Sequence, residues 1–122
     1  MNGARRDAGA RFEAIAEAHL EARGLVPLLR NFSCRLGELD LVMRDRDVLV
    51  VVEVRARAPT RYGSAAETVG PAKRRRIVRA TQVLLAARPE LARLALRFDV
   101  VAIEAAAGAE RVEWLRAAFD AA

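Results

Sequence analysis

The stretch Val48-Leu-Val-Val-Val-Glu-Val-Arg55 decides the fold of this chain. Because residues 48–52 are all aliphatic, they predict a strand that is apolar on both faces. Such a strand belongs inside a sheet, where other elements cover it on both sides. A second apolar stretch, Leu39-Asp-Leu-Val-Met43, precedes it, and the polar residues 44–47 between the two predict a hairpin turn.

Two helices and three further extended segments surround this hairpin. Apolar residues at helical spacing and the breakers Gly24, Pro71 and Pro89 predict the limits of the helices. The predicted elements are a helix over about 5–23, an extended segment over 25–34, the hairpin strands, a loop over 59–70, a helix from Pro71 to about Arg88, a strand over 96–104 and a last strand or edge element over 111–116. The order α-β-β-β-α-β-β predicts an α/β fold, a mixed β-sheet flanked by helices, with residues 1–122 as a single domain.

Composition limits the classes of function. Lys and Arg together number 21 against 16 Asp and Glu, and a net charge of +5 suits a nucleic-acid partner, although it also fits solubility alone. With one Cys (Cys34) and one His (His19), a disulfide within the chain and a Cys or His metal cluster are excluded. The chain has no apolar run of about 18 residues, and its first residues lack the apolar stretch of a secretion signal. We therefore expect a cytoplasmic protein without a membrane partner, in which carboxylates would hold any metal.

Two acids, Asp40 and Glu53, stand inside the otherwise apolar hairpin strands. Burying a carboxylate costs several kcal/mol unless it is paired or bound to a metal. If Asp45-Arg46 is a two-residue turn, Asp40 pairs with Val51 and lies diagonal to Glu53 on the same face, with Cα atoms roughly 7–8 Å apart. The two carboxylates could converge there on one hard cation. The alternative is that both acids only form salt bridges, with Arg35, Arg55 or Arg57.

The first predicted helix contributes one more candidate acid. Glu13, Ala16 and Leu20 share the spacing i, i+3, i+7, which places Glu13 at the edge of the buried face. Glu17 and Glu21 fall on the opposite side, where we expect them to be solvated. A salt bridge between Glu13 and a nearby arginine remains the alternative role.

Basic residues gather on the second predicted helix and the loop before it. Lys73 lies on the core-facing stripe of the helix but in its first turn, so it could point into a cleft. A basic face can contact phosphates, and a loop tyrosine can stack on a base, although a solvated basic face is the alternative. The candidate nucleic-acid-binding residues are Arg57, Arg61, Tyr62, Lys73, Arg75, Arg76 and Arg79.

The pattern Gly37-Glu-Leu-Asp40 followed by Val52-Glu-Val-Arg55 resembles the PD-(D/E)xK nuclease superfamily. More closely, the chain resembles the YraN family of small bacterial proteins, predicted endonucleases similar to archaeal Holliday junction resolvases. The resemblance covers nearly the whole chain. Beyond the central pattern it includes Gly9–Ala16, Arg30-Asn31, Arg57, Tyr62-Gly63, Val69 with Lys73, Arg97–Val101 and Val112–Trp114.

The resemblance implies a restriction-endonuclease-like fold. It also implies an enzyme that hydrolyses phosphodiesters in structured or branched DNA. It implies a Mg²⁺ ion, or Mn²⁺ in its place, held by Glu13, Asp40 and Glu53, with Glu53 and Arg55 as catalytic residues and no organic cofactor. Arg55 occupies the place of the motif lysine; a guanidinium stays protonated but can stabilise negative charge on the phosphorane. Analogy with the resolvases also predicts a homodimer. Two other functions stay open: a nucleic-acid-binding module of the same fold that does not cleave, and a protein–protein adaptor.

Overall fold

The computed structural model describes residues 2–57, 69–106 and 109–121. The class and the element order agree with the sequence prediction, and most elements extend a few residues beyond their predicted limits. The elements are α1 (Asn2–Glu21), β1 (Val26–Cys34), β2 (Gly37–Asp45), β3 (Val48–Arg57), α2 (Pro71–Ala87), a single 3₁₀ turn (Leu91–Arg93), β4 (Ala95–Ala106) and β5 (Ala109–Phe119). The segment 111–116 is therefore the middle of a full strand.

The five strands form one mixed sheet in the order β1-β2-β3-β4-β5. Neighbouring strands are antiparallel except β3 and β4, which are parallel and are joined through α2. A parallel pair requires such a crossover connection, since a tight turn can join only antiparallel strands. The position of β3 at the centre of the sheet confirms the prediction from its apolar sequence.

Each face of the sheet packs against one helix. Successive side chains of β3 point to opposite faces, so Leu49 and Val51 contribute to one hydrophobic cluster and Val50 and Val52 to the other. The first cluster includes Ile77, Ala80 and Leu84 of α2, and the second includes Ala16 and Leu20 of α1. Burial of each such aliphatic side chain contributes about 1.5–3 kcal/mol to stability, which makes β3 the anchor of both layers.

Helix α1 ends in a cap formed at Gly24. Gly24 adopts a left-handed φ of 98°, and its N–H donates to the carbonyl of Glu21 (3.0 Å) while the N–H of Leu25 donates to that of Leu20 (3.1 Å). These two bonds form a Schellman cap, for which glycine is the favoured residue. The glycine stop is therefore confirmed, with the regular helix ending two residues before the predicted limit. In the described ranges, neither helix has the length and apolar character needed to span a membrane.

The hairpin turn between β2 and β3 lies one residue later than predicted. Arg46 and Asp47 form the turn, and Asp45 pairs with Val48. The predicted turn would have put Asp47 into the strand ladder, whereas the observed turn leaves both turn residues exposed and pairs the aliphatic stretch from Val48 onward. Consequently Leu41, not Leu39, lies opposite Val52. The predicted pairing of Asp40 with Val51 was wrong, but a shift of two positions leaves both acids on one face.

Candidate active site

Asp40 lies at the point where the pairing of β2 and β3 ends. The ladder runs from Asp45↔Val48 to Leu41↔Val52. Beyond it, Oδ2 of Asp40 accepts the backbone N–H of Val54 at 2.9 Å. The side-chain carboxylate of Asp40 thus accepts the N–H of a strand residue in place of a backbone carbonyl, and this bond fixes Asp40 beside β3.

Glu53 is the buried acid of the site, with 4% of its surface exposed. Burial disfavours its ionised form, and the neighbouring Asp40 adds repulsion and a carboxyl–carboxyl hydrogen bond. Together these effects raise the pKa of Glu53 to about 8, even though the charges of Lys73 and Arg55 act in the opposite direction. A divalent cation between the two acids would relieve the repulsion between them.

Two cations already approach the same oxygen of Glu53. Nζ of Lys73, from α2, lies 3.4 Å from Oε2, and Nη1 of Arg55, from β3, lies 3.8 Å from it. The salt bridge considered between Glu53 and Arg55 is therefore present at long distance. The closer partner is Lys73, whose first-turn position on the core stripe did direct it into a cleft.

Glu13 reaches the site from α1. Burial and the charge of Asp40 raise its pKa, while a hydrogen bond with the side chain of Asn31 and the charge of Arg30 lower it. Asn31 was not among the candidates; it has a left-handed φ of 54°, which asparagine tolerates better than most residues. Glu17 was wrongly expected to be solvated, since it accepts two hydrogen bonds from Arg30, at 2.6 and 3.1 Å.

These side chains line one cleft of about 390 Å³ between the layers of the molecule. The lining residues are Gly9, Phe12 and Glu13 of α1, Asp40 of β2, Glu53, Val54, Arg55 and Ala56 of β3, and Lys73 of α2. The structure thus brings together all the predicted metal ligands and catalytic residues. Gly9, Phe12 and Ala56 were not predicted as lining residues, because nothing in their residue types distinguishes them from ordinary helix and strand positions.

The donor set suits a hard cation. The candidate ligands are carboxylates, and a Mg²⁺ site commonly uses one or two carboxylates together with water and substrate phosphate oxygens. Within the described residues, no group of three or more His, Cys, Asp or Glu converges to hold a metal ion. The close pair Asp40 and Glu53 would therefore supply the direct ligands, and Glu13, which was predicted as a third ligand, lines the same cleft without completing such a group.

The other candidate nucleic-acid-binding residues are divided among several surfaces. Arg76 lines a second groove with Lys73 and the β1–β2 turn, where Gly37 lies so close to α2 that an added Cβ would be 2.9 Å from the carbonyl oxygen of Arg76. Arg75 and Arg79 line a further groove, about 810 Å³, between α2 and the end of β5. This groove is larger than the acidic cleft, but Asp120 is the one acid in its lining, so it lacks the pair of carboxylates that the cleft contains.

Of the three remaining candidates, Arg57, Arg61 and Tyr62, only Arg57 is among the described residues. Arg57 points to β4 and β5, where it pairs with Glu113 at 2.8 Å and with Glu104 at 3.9 Å. Its side chain is 15% exposed, which leaves little of it for a phosphate. Arg61 and Tyr62 lie outside the described residues.

The fold and the cleft define a class: an α/β protein with a five-stranded mixed sheet between two helices, in which an acidic pair flanked by cations lies where the pairing of two adjacent strands ends. A sequence model of the uncharacterised protein family UPF0102 matches residues 12–103, a span that contains Glu13, Asp40, Glu53, Arg55 and Lys73. The chain belongs to this family, UPF0102 or YraN, as its sequence pattern indicated.

Individual relatives support this assignment. A UPF0102 protein of Ectopseudomonas mendocina is 48% identical over 115 residues, covering 94% of this chain and 96% of the relative. One of Xanthomonas campestris pv. campestris is 50% identical over 119 residues, covering 98% and 96%. One of Bordetella petrii is 55% identical over 107 residues; the alignment covers 82% of this chain but only 62% of that longer relative.

Proposed function

We propose that this protein is a metal-dependent nuclease that hydrolyses phosphodiester bonds in structured or branched DNA. The observation that carries the proposal is the meeting of Asp40 and Glu53 at the end of the β2–β3 ladder, with cations on the same oxygen of Glu53. Two acids that repel each other in a half-buried cleft are costly for stability, and a divalent cation with a phosphate ligand would offset that cost. The choice of branched DNA rests on the resemblance to the resolvases.

Each side chain has a role in this reaction. Hydrolysis joins the oxygen of water to phosphorus and breaks one P–O ester bond; the water loses a proton and the leaving oxygen gains one. Asp40 and Glu53 would hold Mg²⁺, which when bound supplies a Lewis acid and lowers the pKa of water. Glu13, which lines the same cleft, orients water that faces the phosphate. Arg55 stabilises the negative charge that develops on the phosphate oxygens.

The basic surface of α2 would bind the DNA backbone. This helix carries five basic residues and no acidic one. Lys73 and Arg76 line the groove beside the acidic cleft, while Arg75 and Arg79 line the next groove along α2. A DNA backbone that follows α2 would therefore pass the acidic cleft, and binding would weaken as salt increases. A homodimer, as in the resolvases, would present two such clefts to two strands.

A cleavage assay on four-way junction, flap and duplex DNA with Mg²⁺ or Mn²⁺ tests this function. We expect the wild type to cut the junction or the flap, and Arg55→Ala to cut about 100–1000-fold more slowly, the usual effect of removing one preorganised charge at a developing oxyanion. Glu53→Gln should not cut but should still bind DNA, because it removes a negative charge beside the phosphate. Glu110→Gln, an exposed acid paired with Arg11, is the control and should cut as the wild type does.

The alternative is a binding module of the same fold that holds DNA without cutting it. It is favoured by the cations already present at Glu53, since they give that acid partners without a metal. If the wild-type protein binds junction DNA but cuts no substrate with either metal, the nuclease function is refuted and the binding module is supported.

A further inference from the structure

The chain contains 21 basic residues, of which 20 are arginine and one is lysine. That single lysine, Lys73, lies in the acidic cleft, with its nitrogen 3.4 Å from Glu53. A sequence that uses arginine at every other basic position thus has a primary amine at a position that faces the buried acid, closer to it than Arg55. Arginine and lysine are not equivalent here, because a guanidinium is a broad planar group and an ammonium is a compact charge with three donors.

The position of Lys73 in α2 does not serve the helix itself. It is the third residue of the helix, and no acidic residue is present in the first turn. A cation at a helix N-terminus is unfavourable, because the partial charge of the helix dipole is positive there. The nearest compensation is Glu53 of β3, so the placement of Lys73 depends on the cleft.

Lys73 and Arg55 approach the same oxygen of Glu53 from different elements. Arg55 stands on β3, in the place of the motif lysine, but its nitrogen is farther from Oε2, at 3.8 Å. Lys73 reaches the same atom from the helix on the other side of the cleft, and 31% of its side chain is exposed. Lys73 therefore both contacts the buried acid and lines the cleft that a substrate would enter.

We propose that Lys73 is a catalytic residue that contacts the phosphate group being cleaved and supplies the amine that Arg55 does not. The inference rests on the proposed nuclease function. In the free protein, the ammonium lies 3.4 Å from Oε2 of the buried Glu53. With a divalent cation held by Asp40 and Glu53, the ammonium would instead donate hydrogen bonds to a non-bridging oxygen of the phosphate.

The competing role for Lys73 is structural neutralisation of Glu53. The two roles predict different cleavage rates for a variant without Lys73 at saturating metal. A bound divalent cation would then replace the structural charge of Lys73 but not its contact with the phosphate. The two roles also differ for Lys73→Arg, which restores a charge beside Glu53 but not a compact amine. Cleavage rates and metal affinity measured on the same variants therefore separate them.

The experiment compares wild type, Lys73→Met and Lys73→Arg in the turnover of junction DNA at saturating Mn²⁺ and in Mn²⁺ binding by calorimetry. We expect Lys73→Met to lower kcat about 100–1000-fold, as for other preorganised charges, and to bind Mn²⁺ at least as tightly as the wild type. Lys73→Arg should lower kcat at least tenfold while KM for DNA and Mn²⁺ affinity stay near wild type. Arg88→Met, at the far end of α2, removes the same charge and should change neither quantity.

Wild-type kcat in either Lys73 variant at saturating Mn²⁺ would overturn the inference while leaving the nuclease function intact. Loss of Mn²⁺ binding in Lys73→Met would also overturn it, since Lys73 would then maintain the shape of the metal site. A wild-type protein that cuts no DNA would refute the nuclease function, and the inference with it.

Discussion

At the scale of single residues, Glu53 is the acid of the site whose ionised form is most disfavoured by folding. It is buried beside Asp40, and the backbone of β2 and β3 holds the two carboxyl groups together against their repulsion. Natural proteins retain such strain at functional sites when the surrounding structure is strong enough. Here the surrounding structure is the aliphatic core of β3, which packs against both helices.

The raised pKa of Glu53 predicts how stability depends on pH in metal-free buffer. Folding raises this pKa from 4.5 to about 8, so Glu53 favours the folded state fully below its unfolded pKa, and this contribution is lost as pH rises through 8. The slope is at most about 1.4 kcal/mol per pH unit. Urea denaturation of wild type and Glu53→Gln at pH 5, 7 and 9 should show similar stability at pH 5 and a growing advantage for the glutamine variant above it. Parallel pH profiles of the two proteins would contradict this account.

The residue scale also shows how far the sequence alone could lead. Asp40 and Glu53 were predictable, because an acid inside an aliphatic strand requires a partner and the period of a strand places both on one face. The hydrogen bond from Val54 to Asp40 was not predictable, since it forms where the strand ladder ends. Asn31 was missed because its contact with Glu13 depends on the left-handed backbone at one position of β1.

At the scale of elements, a buried ion pair holds the end of β5 on β4. Asp99 is fully buried, and its two oxygens accept bonds from Nε and Nη2 of Arg97, at 2.9 and 3.1 Å. Nε1 of Trp114 and the backbone N–H of Ala117 donate to the same carboxylate, each at 2.9 Å. The network lies where the register of β4 and β5 shifts between Phe98 and Val100, so it replaces the regular ladder there.

We predict that Asp99→Asn destabilises the protein by about 3–5 kcal/mol, the usual cost of removing one partner of a buried ion pair. An amide cannot accept all four bonds, and Arg97 loses its bidentate partner. Urea denaturation would measure the change. Glu110→Gln, which breaks the exposed pair with Arg11, should cost less than about 1 kcal/mol and serves as the control. A loss for Asp99→Asn as small as that of the control would show that the network does not support the sheet.

The pairing of Asp99 with Arg97 was predictable, because the two residues share one face of a strand. The exact hairpin turn was not, because four polar residues in a row, 44–47, allow more than one two-residue turn. Packing of the aliphatic stretch then decides which turn forms. Competition of this kind between local and tertiary preferences limits what a sequence pattern can fix.

At the scale of the whole molecule, the cleft joins both helical layers to the sheet. Glu13 comes from α1, Asp40 and Glu53 from adjacent strands, and Lys73 from α2. Their separation along the chain is large, so only the fold brings them together; the family resemblance predicted the set, and the geometry explains it. Arg57 shows that closeness along the chain does not by itself place a residue in the site. It is two residues from Arg55 on β3 but pairs with glutamates of β4 and β5.

The central claim is that the cleft between these layers is a divalent cation site built on Asp40 and Glu53. Calorimetric titration with Mn²⁺ tests it most directly, on wild type, on Asp40→Asn and on Asp47→Asn, a control in the exposed turn at the other end of the hairpin. The account predicts one weak site in the wild type and in Asp47→Asn, and no binding in Asp40→Asn. Equal Mn²⁺ binding by wild type and Asp40→Asn would contradict it.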